Sequence, residues 1–279
     1  MARRGRRFQA RRDDLPVIRI ASGVVLAAGF AALVVFGSPL HFFVFCEITV
    51  AVCLLELSGM LKAGGQPDLK LTSVTAGAAI VAVIYFGGGD HIVAVTGAVL
   101  ILVIALSLFQ KDDLAYQRAS NTLYGIFYVT IPLSALAALR AEPGGEGYII
   151  IIVTANAFSD IFAFFTGKSV GKTPLAPQIS PGKTVEGFIG GLAGAMVGAV
   201  GAKLAVAPML GMPHALAAGA LAGFIGPIGD LAESSIKRKM GVKDSGSAIP
   251  GHGGVLDRID SLMFSAVSFY IYVTIFLSQ

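Results

Sequence analysis

The sequence predicts an all-α, polytopic integral membrane protein with about nine transmembrane helices and a cytosolic N-terminus. Three observations carry that reading. Hydrophobic residues make up 55% of the 279 and charged residues only 14%, with a mean hydropathy of +0.77; a soluble domain needs about 25% charged residues to solvate its surface. Nine apolar stretches approach or exceed the roughly 17–25 residues a helix needs to cross a bilayer. The basic residues, finally, fall on alternate connections between those stretches.

Residues 1–16 form a basic arm, and Arg3, Arg4, Arg6, Arg7, Arg11, Arg12 and Arg19 crowd the N-terminus. Because the arm runs straight into an apolar helix, it reads as the cytosolic flank of a membrane anchor, with no nucleic-acid partner expected. A cleaved twin-arginine signal is the rival reading, but such signals deliver soluble cargo and eight further apolar segments follow. The expected spans are 17–37, 40–61, 73–89, 92–110, 119–139, 148–166, 186–206, 214–234 and 259–277. They group as an N-terminal transmembrane region, 17–140, and a C-terminal catalytic region, 148–279, with cytosolic loops at 167–185 and 235–258. The 35 glycines suit such a bundle, since they let helices approach closely. Cys46 and Cys53, seven apart in one span, share a face and read as packing residues.

Orientation follows from charge. With the N-terminus inside, the inward segments hold 19 of the 21 basic residues, leaving only Arg140 and Lys203 outside. The expected location is the cell inner membrane, multi-pass, with the active site facing the cytosol.

The two long inward loops carry the chemistry, because long ordered connections in a compact protein are usually functional. The sixth span brings Asn156 and Asp160 to one helix face four residues apart, close to the inner boundary where an ionised group needs a partner. The loop after it holds Gly167-Lys168, Gly171-Lys172 and Gly182-Lys183, then Thr184 and Glu186, with Ser180 between. Glycine-freed backbone amides beside lysine suit phosphate oxygens. The spacing is not that of a Walker A loop, since Pro177 stands where glycine is required.

The second loop is more specific. Asp230, Ser234 and Lys237 project from one face of the eighth helix, followed by Arg238, Lys243, His252, Gly253, Gly254, Asp257, Arg258 and Asp260. Carboxylates at a membrane boundary beside several bases supply what a Mg²⁺–phosphate site needs: hard oxygen ligands and charge neutralisation. Helix capping by Asp257 with surface ion pairs is the plain alternative; it does not account for Asp230.

The run Ser234, Ile236, Lys237, Arg238, Lys243, Asp244, Gly246, Ile249, Pro250, His252, Gly253, Gly254, Val255, Asp257, Arg258, Ile259 and Asp260 resembles the signature of phosphatidate cytidylyltransferases (CDP-diacylglycerol synthases) over 27 residues. The resemblance extends back to Asp160 and Ile179-Ser180-Pro181. Phe164, Lys168 and Gly182 depart from the family pattern, where tyrosine, arginine and lysine are usual. The resemblance implies that phosphatidate in the membrane attacks the α-phosphorus of CTP, with Mg²⁺, one ion or two, as cofactor. Asp230 and Asp257 are then expected as metal ligands, with Asp260 as a third ligand or a partner to them. Lys237, Arg238, Lys243 and Arg258 are expected to hold phosphates. Lys168, Lys172 and Lys183 add further contacts, and His252 is structural or a hydrogen-bond donor rather than a base. A homodimer stays open. Two rivals remain: a CTP-dependent enzyme with another lipid acceptor, and an ion-coupled transporter using Glu47 and Glu56 of the second span.

Overall fold

The computed structural model describes residues 23–87, 90–208, 210–249 and 251–277. The arginine-rich arm and the beginning of the first expected span lie outside them.

Nine apolar helices run through the described residues. They are α1 (Gly23–Phe36), α2 (Pro39–Ala63), α3 (Lys70–Gly87), α4 (Ile92–Leu108), α5 (Ala115–Ala141), α6 (Gly145–Val170), α7 (Val185–Val206), α8 (Met212–Lys239) and α9 (Leu256–Phe276). Seven are long and apolar enough to cross a membrane, and α1 and α4 are shorter apolar helices. The chain is an all-α polytopic membrane protein. A single hairpin, β1 (Pro174–Ala176) with β2 (Ser180–Thr184), is its only sheet among the described residues.

Local chemistry sets the boundaries. The turn before α2 is closed by Ser38, whose Oγ caps the helix while Pro39 takes the first helical position, where no N–H is needed. Two helices overrun their apolar stretches: α6 continues to Val170 and α8 to Lys239. Hydropathy ends at the bilayer boundary, but polar helix formers carry the backbone hydrogen bonds further. Both long loops are therefore shorter than the sequence suggests.

Helices α6 to α9 pack as one bundle and α2 to α5 as another, joined where α5 lies against α6 and α9. The closest crossing is α6 on α7. A Cβ placed at Gly194 would stand 2.6 Å from Phe162, and one at Gly198 would stand 2.8 Å from the Thr154 carbonyl. Small residues at four-residue spacing allow that approach, where dispersion rather than water exclusion holds helices together. The alternation of helix direction gathers the C-terminal ends of α2, α6 and α8 with the N-terminal ends of α7 and α9 at one face. Arg140 and Lys203 sit near the C-terminal ends of α5 and α7, at the other.

Candidate active site

A cavity of about 350 Å³ opens at that face between α6, α7 and α8; its walls include Asp160, Phe164, Lys168, Lys183, Asp230 and Ser261. The hairpin builds its roof. Pairing Pro174 with Thr184 and Ala176 with Ser180 folds the first loop back on itself, so that Lys183 reaches α8 and its Nζ donates to Asp230 Oδ2 at 2.5 Å. Ser234, one turn along, donates from Oγ to Asp230 Oδ1 at 3.2 Å. Lys168 lies over the Phe164 ring, 5.7 Å from its centre, at the cavity edge where Phe164 and Phe165 are exposed.

Asp160 and Asp260 both lie close enough to Asp230 to repel its charge, with Lys183 opposing that charge. Lys183 thus serves Asp160 and Asp230, while Lys237 offsets Asp260 together with Glu233 and Asp257, so carboxylates outnumber the ammonium groups that face them and supply hard oxygen donors. Among the described residues no three Asp, Glu, His or Cys converge tightly enough to cage a metal unaided.

Of the three expected metal ligands, Asp230 is held by Lys183 and Asp257 by Lys237, and Asp260 lies within electrostatic reach of Asp230 and Lys237. Asp257 sits in a separate knot: Lys237 Nζ donates to Asp257 Oδ1 at 2.6 Å and to Glu233 Oε2 at 2.7 Å. Asp257 Oδ2 accepts from Ser245 N at 2.9 Å, Ser245 Oγ at 3.0 Å and Gly254 N at 2.9 Å. Both Asp257 oxygens accept hydrogen bonds, one of them from the Lys237 ammonium. The Glu233 carboxylate is fully buried, and its Oε1 has no hydrogen-bond partner.

Other expected contacts take structural positions. Asn156 is buried: its Nδ2 donates to the Ile152 carbonyl at 2.7 Å and its Oδ1 accepts from Ser265 Oγ at 3.0 Å. It ties α6 to α9. Glu186 accepts from Lys172 N at 3.1 Å, Thr173 N at 3.2 Å and Thr173 Oγ1 at 2.9 Å, which staples the hairpin to α7. Thr184 caps α7 through Gly187 N at 3.1 Å. Gly253 adopts a φ of +89°, where only glycine is at ease, and a Cβ there would stand 2.9 Å from Asp257 Oδ2. Gly254 has no room for a Cβ beside Ser245 Oγ. The two glycines shape the loop around Asp257.

Arg258 donates from Nε and Nη2 to the His252 carbonyl at 3.1 and 2.7 Å. Arg238 donates from Nε to the Ile179 carbonyl at 3.4 Å, tying the two loops together. Arg238, Lys243, Lys172 and Arg258 are exposed on this same face, and Ser180 lies on β2. Sequence reasoning left out Ser245 and Glu233 and left Glu56 undecided. Only Glu233 gave a local signal, four residues before Lys237 on one helix face. Glu56 accepts backbone N–H groups at the start of α9, which removes one of the two acids on which a transport reading rested.

Acidic and basic side chains gathered at one end of a helical membrane bundle, around a lysine-walled cavity, define a membrane enzyme built for an anionic substrate. Comparison with known proteins narrows the class: a profile of the cytidylyltransferase family matches residues 17–276, and the chain belongs to that family. It is 34% identical over 93% of its length to phosphatidate cytidylyltransferase 4, chloroplastic, of Arabidopsis thaliana, covering 70% of that protein. It is 30% identical to the phosphatidate cytidylyltransferase of Bacillus subtilis (strain 168), over 92% of this chain and 97% of the relative. The Brucella suis biovar 1 (strain 1330) enzyme of the same name is 42% identical over 54% of this chain and 56% of its own length.

Proposed function

We propose that the chain transfers CMP from CTP to phosphatidate, giving CDP-diacylglycerol and pyrophosphate, at the cytosolic face of a cell inner membrane. The observation that carries the reading is the Lys183–Asp230 pair in a cavity bordered by exposed aromatic residues. Water-soluble triphosphate and membrane-held phosphate both have access to such a place, and the relatives' names fit it.

The chemistry needs little from a base. The second pKa of a phosphate monoester is about 6, so phosphatidate is largely a dianion at neutral pH. One of its oxygens forms a bond to the α-phosphorus while the bond from that phosphorus to the bridging oxygen breaks and pyrophosphate leaves. Repulsion between the anions is the main obstacle, and positive charge fixed in advance lowers it. Lys183 and Lys168 line the reacting cavity, and Arg238, Lys243 and Arg258, exposed on the same face, are the residues to hold the triphosphate. Asp230 and Asp260 would hold Mg²⁺, which would supply charge neutralisation for the leaving pyrophosphate. Asp257 and Lys237 keep the second loop in place.

The test is synthesis by the purified chain from CTP and phosphatidate, with and without Mg²⁺. The α-phosphorus label of CTP is expected in the lipid product. A γ-phosphorus label in the lipid means a kinase, and lipid labelling that does not need phosphatidate overturns the acceptor assignment.

A further inference from the structure

Helix α9 starts without a cap of its own: Val255 precedes it and offers no side-chain acceptor. Its first N–H groups are nevertheless satisfied by a carboxylate 199 residues away. Val255 N donates to Glu56 Oε1 at 2.9 Å and Leu256 N to Glu56 Oε2 at 3.0 Å. Ser245 Oγ donates to the same Oε2 at 3.1 Å and to Asp257 Oδ2 at 3.0 Å. The loop also closes around this carboxylate. A Cβ on Gly246 would stand 2.8 Å from Glu56 Oε1, and one on Gly254 would stand 2.5 Å from Oε2.

We propose that Glu56 is a positioning residue for nucleotidyl transfer, acting from α2 through Ser245 and Asp257 on Lys237 and the second loop. The inference rests on the function proposed above, but on a residue that the cavity does not include. Its physical basis is the number of acceptors. A carboxylate presents two anionic oxygens, so it can take both N–H groups and the hydroxyl together, and its charge suits a helix N-terminus. An amide has one acceptor oxygen and must turn its NH₂ toward one of those donors. Glu56→Gln therefore keeps the volume and loses half the clamp. Because Glu56 and Asp257 share one donor, the Ser245 hydroxyl, the loss passes through Asp257 to Lys237 and to the exposed bases of the loop.

The test uses the full chain, purified in detergent micelles, with CTP and phosphatidate. Glu56→Gln is expected to lower kcat about 10- to 100-fold, the scale of a misplacement near 1 Å. Both KM values should hold within about threefold, as when an interaction is felt mainly in the transition state. Glu56→Asp, with both oxygens retained, should lie between the variant and the parent. Gly246→Ala, which pushes on the carboxylate from the other side, should resemble Glu56→Gln, and the double variant should be little worse than either single one. Amide hydrogen exchange gives a readout independent of activity: the segment 244–257 should exchange faster in Glu56→Gln while α6 and α7 are unchanged. Unaltered exchange in that segment overturns the clamp. Faster exchange with an unchanged kcat overturns the positioning role, as does a loss confined to KM. A parent chain that makes no CDP-diacylglycerol fails the functional reading itself, and the positioning role falls with it.

Discussion

Replacing Lys237 by methionine tests the charge knot beneath the second loop. The Lys237 side chain is 13% exposed, that of Glu233 0% and that of Asp257 7%. The ammonium donates to both acids, at 2.7 and 2.6 Å. At an effective dielectric of about 20, two unit charges about 4 Å apart attract by about 4 kcal/mol. Two such attractions are offset by the mutual repulsion of the acids and by the desolvation of all three groups. Methionine preserves the stem packing and removes the charge, stranding two acids. Breaking a buried pair in this way costs about 3–5 kcal/mol. The expected result is a fall of that size in equilibrium unfolding free energy in mixed micelles. Adding Glu233→Gln should return more than half of it, since Asp257 retains its donors Ser245 N, Ser245 Oγ and Gly254 N. A single variant within about 1 kcal/mol of the parent, the scale of an exposed ion pair, would refute the reasoning.

Lys183→Met should lower kcat by about 10²–10³, as when one fixed donor to transition-state charge is lost; Lys183→Arg should keep a larger share, and equal losses in the two would show that charge is not what matters. Asp257→Asn should abolish most turnover, because its amide cannot accept from Lys237 and three loop donors together; near-normal CTP-dependent synthesis would sink the assignment. Asp230→Asn and Asp260→Asn should raise the Mg²⁺ concentration needed for half-maximal rate, whereas Asp257→Asn should change that concentration far less; an equal shift in all three would place Asp257 among the ligands. Gly253→Ala should destabilise the loop by about 1 kcal/mol or more through its positive φ, seen as faster amide exchange across 244–257.

The apolar stretches were legible because a helix that crosses a membrane must be apolar along most of its length; among the described residues seven helices of that length fall on seven of the nine stretches, and shorter apolar helices on the other two. The identity of the second loop was legible because its charges are crowded into 27 residues. What was not legible depends on contacts between distant segments. Ser180 to Thr184 reads as a glycine-lysine loop and becomes a strand only because Pro174–Ala176 lies beside it. Asn156 and Asp160 share a helix face, as their spacing requires, yet the cavity ends between them: Asp160 opens into it, while Asn156 meets Ser265 of α9. Glu56 looked like a membrane acid of uncertain purpose, since nothing near it in sequence reveals two amides on α9.

The carboxylates of this face fall into two systems with opposite consequences. Glu233 and Asp257 hold Lys237, Glu56 holds the helix start, and this system is largely closed, with every Asp257 and Glu56 oxygen accepting a hydrogen bond. Its work is to fix a loop whose bases point outward. Asp160 and Asp230 face Lys183 and line the cavity, while Asp260 lies between Asp230 and the Glu233–Lys237 pair. Such a surplus of negative charge would repel a triphosphate unless a cation entered with it. A cation arriving with the nucleotide would neutralise both at once, and the acids would then favour the charged complex over bare CTP.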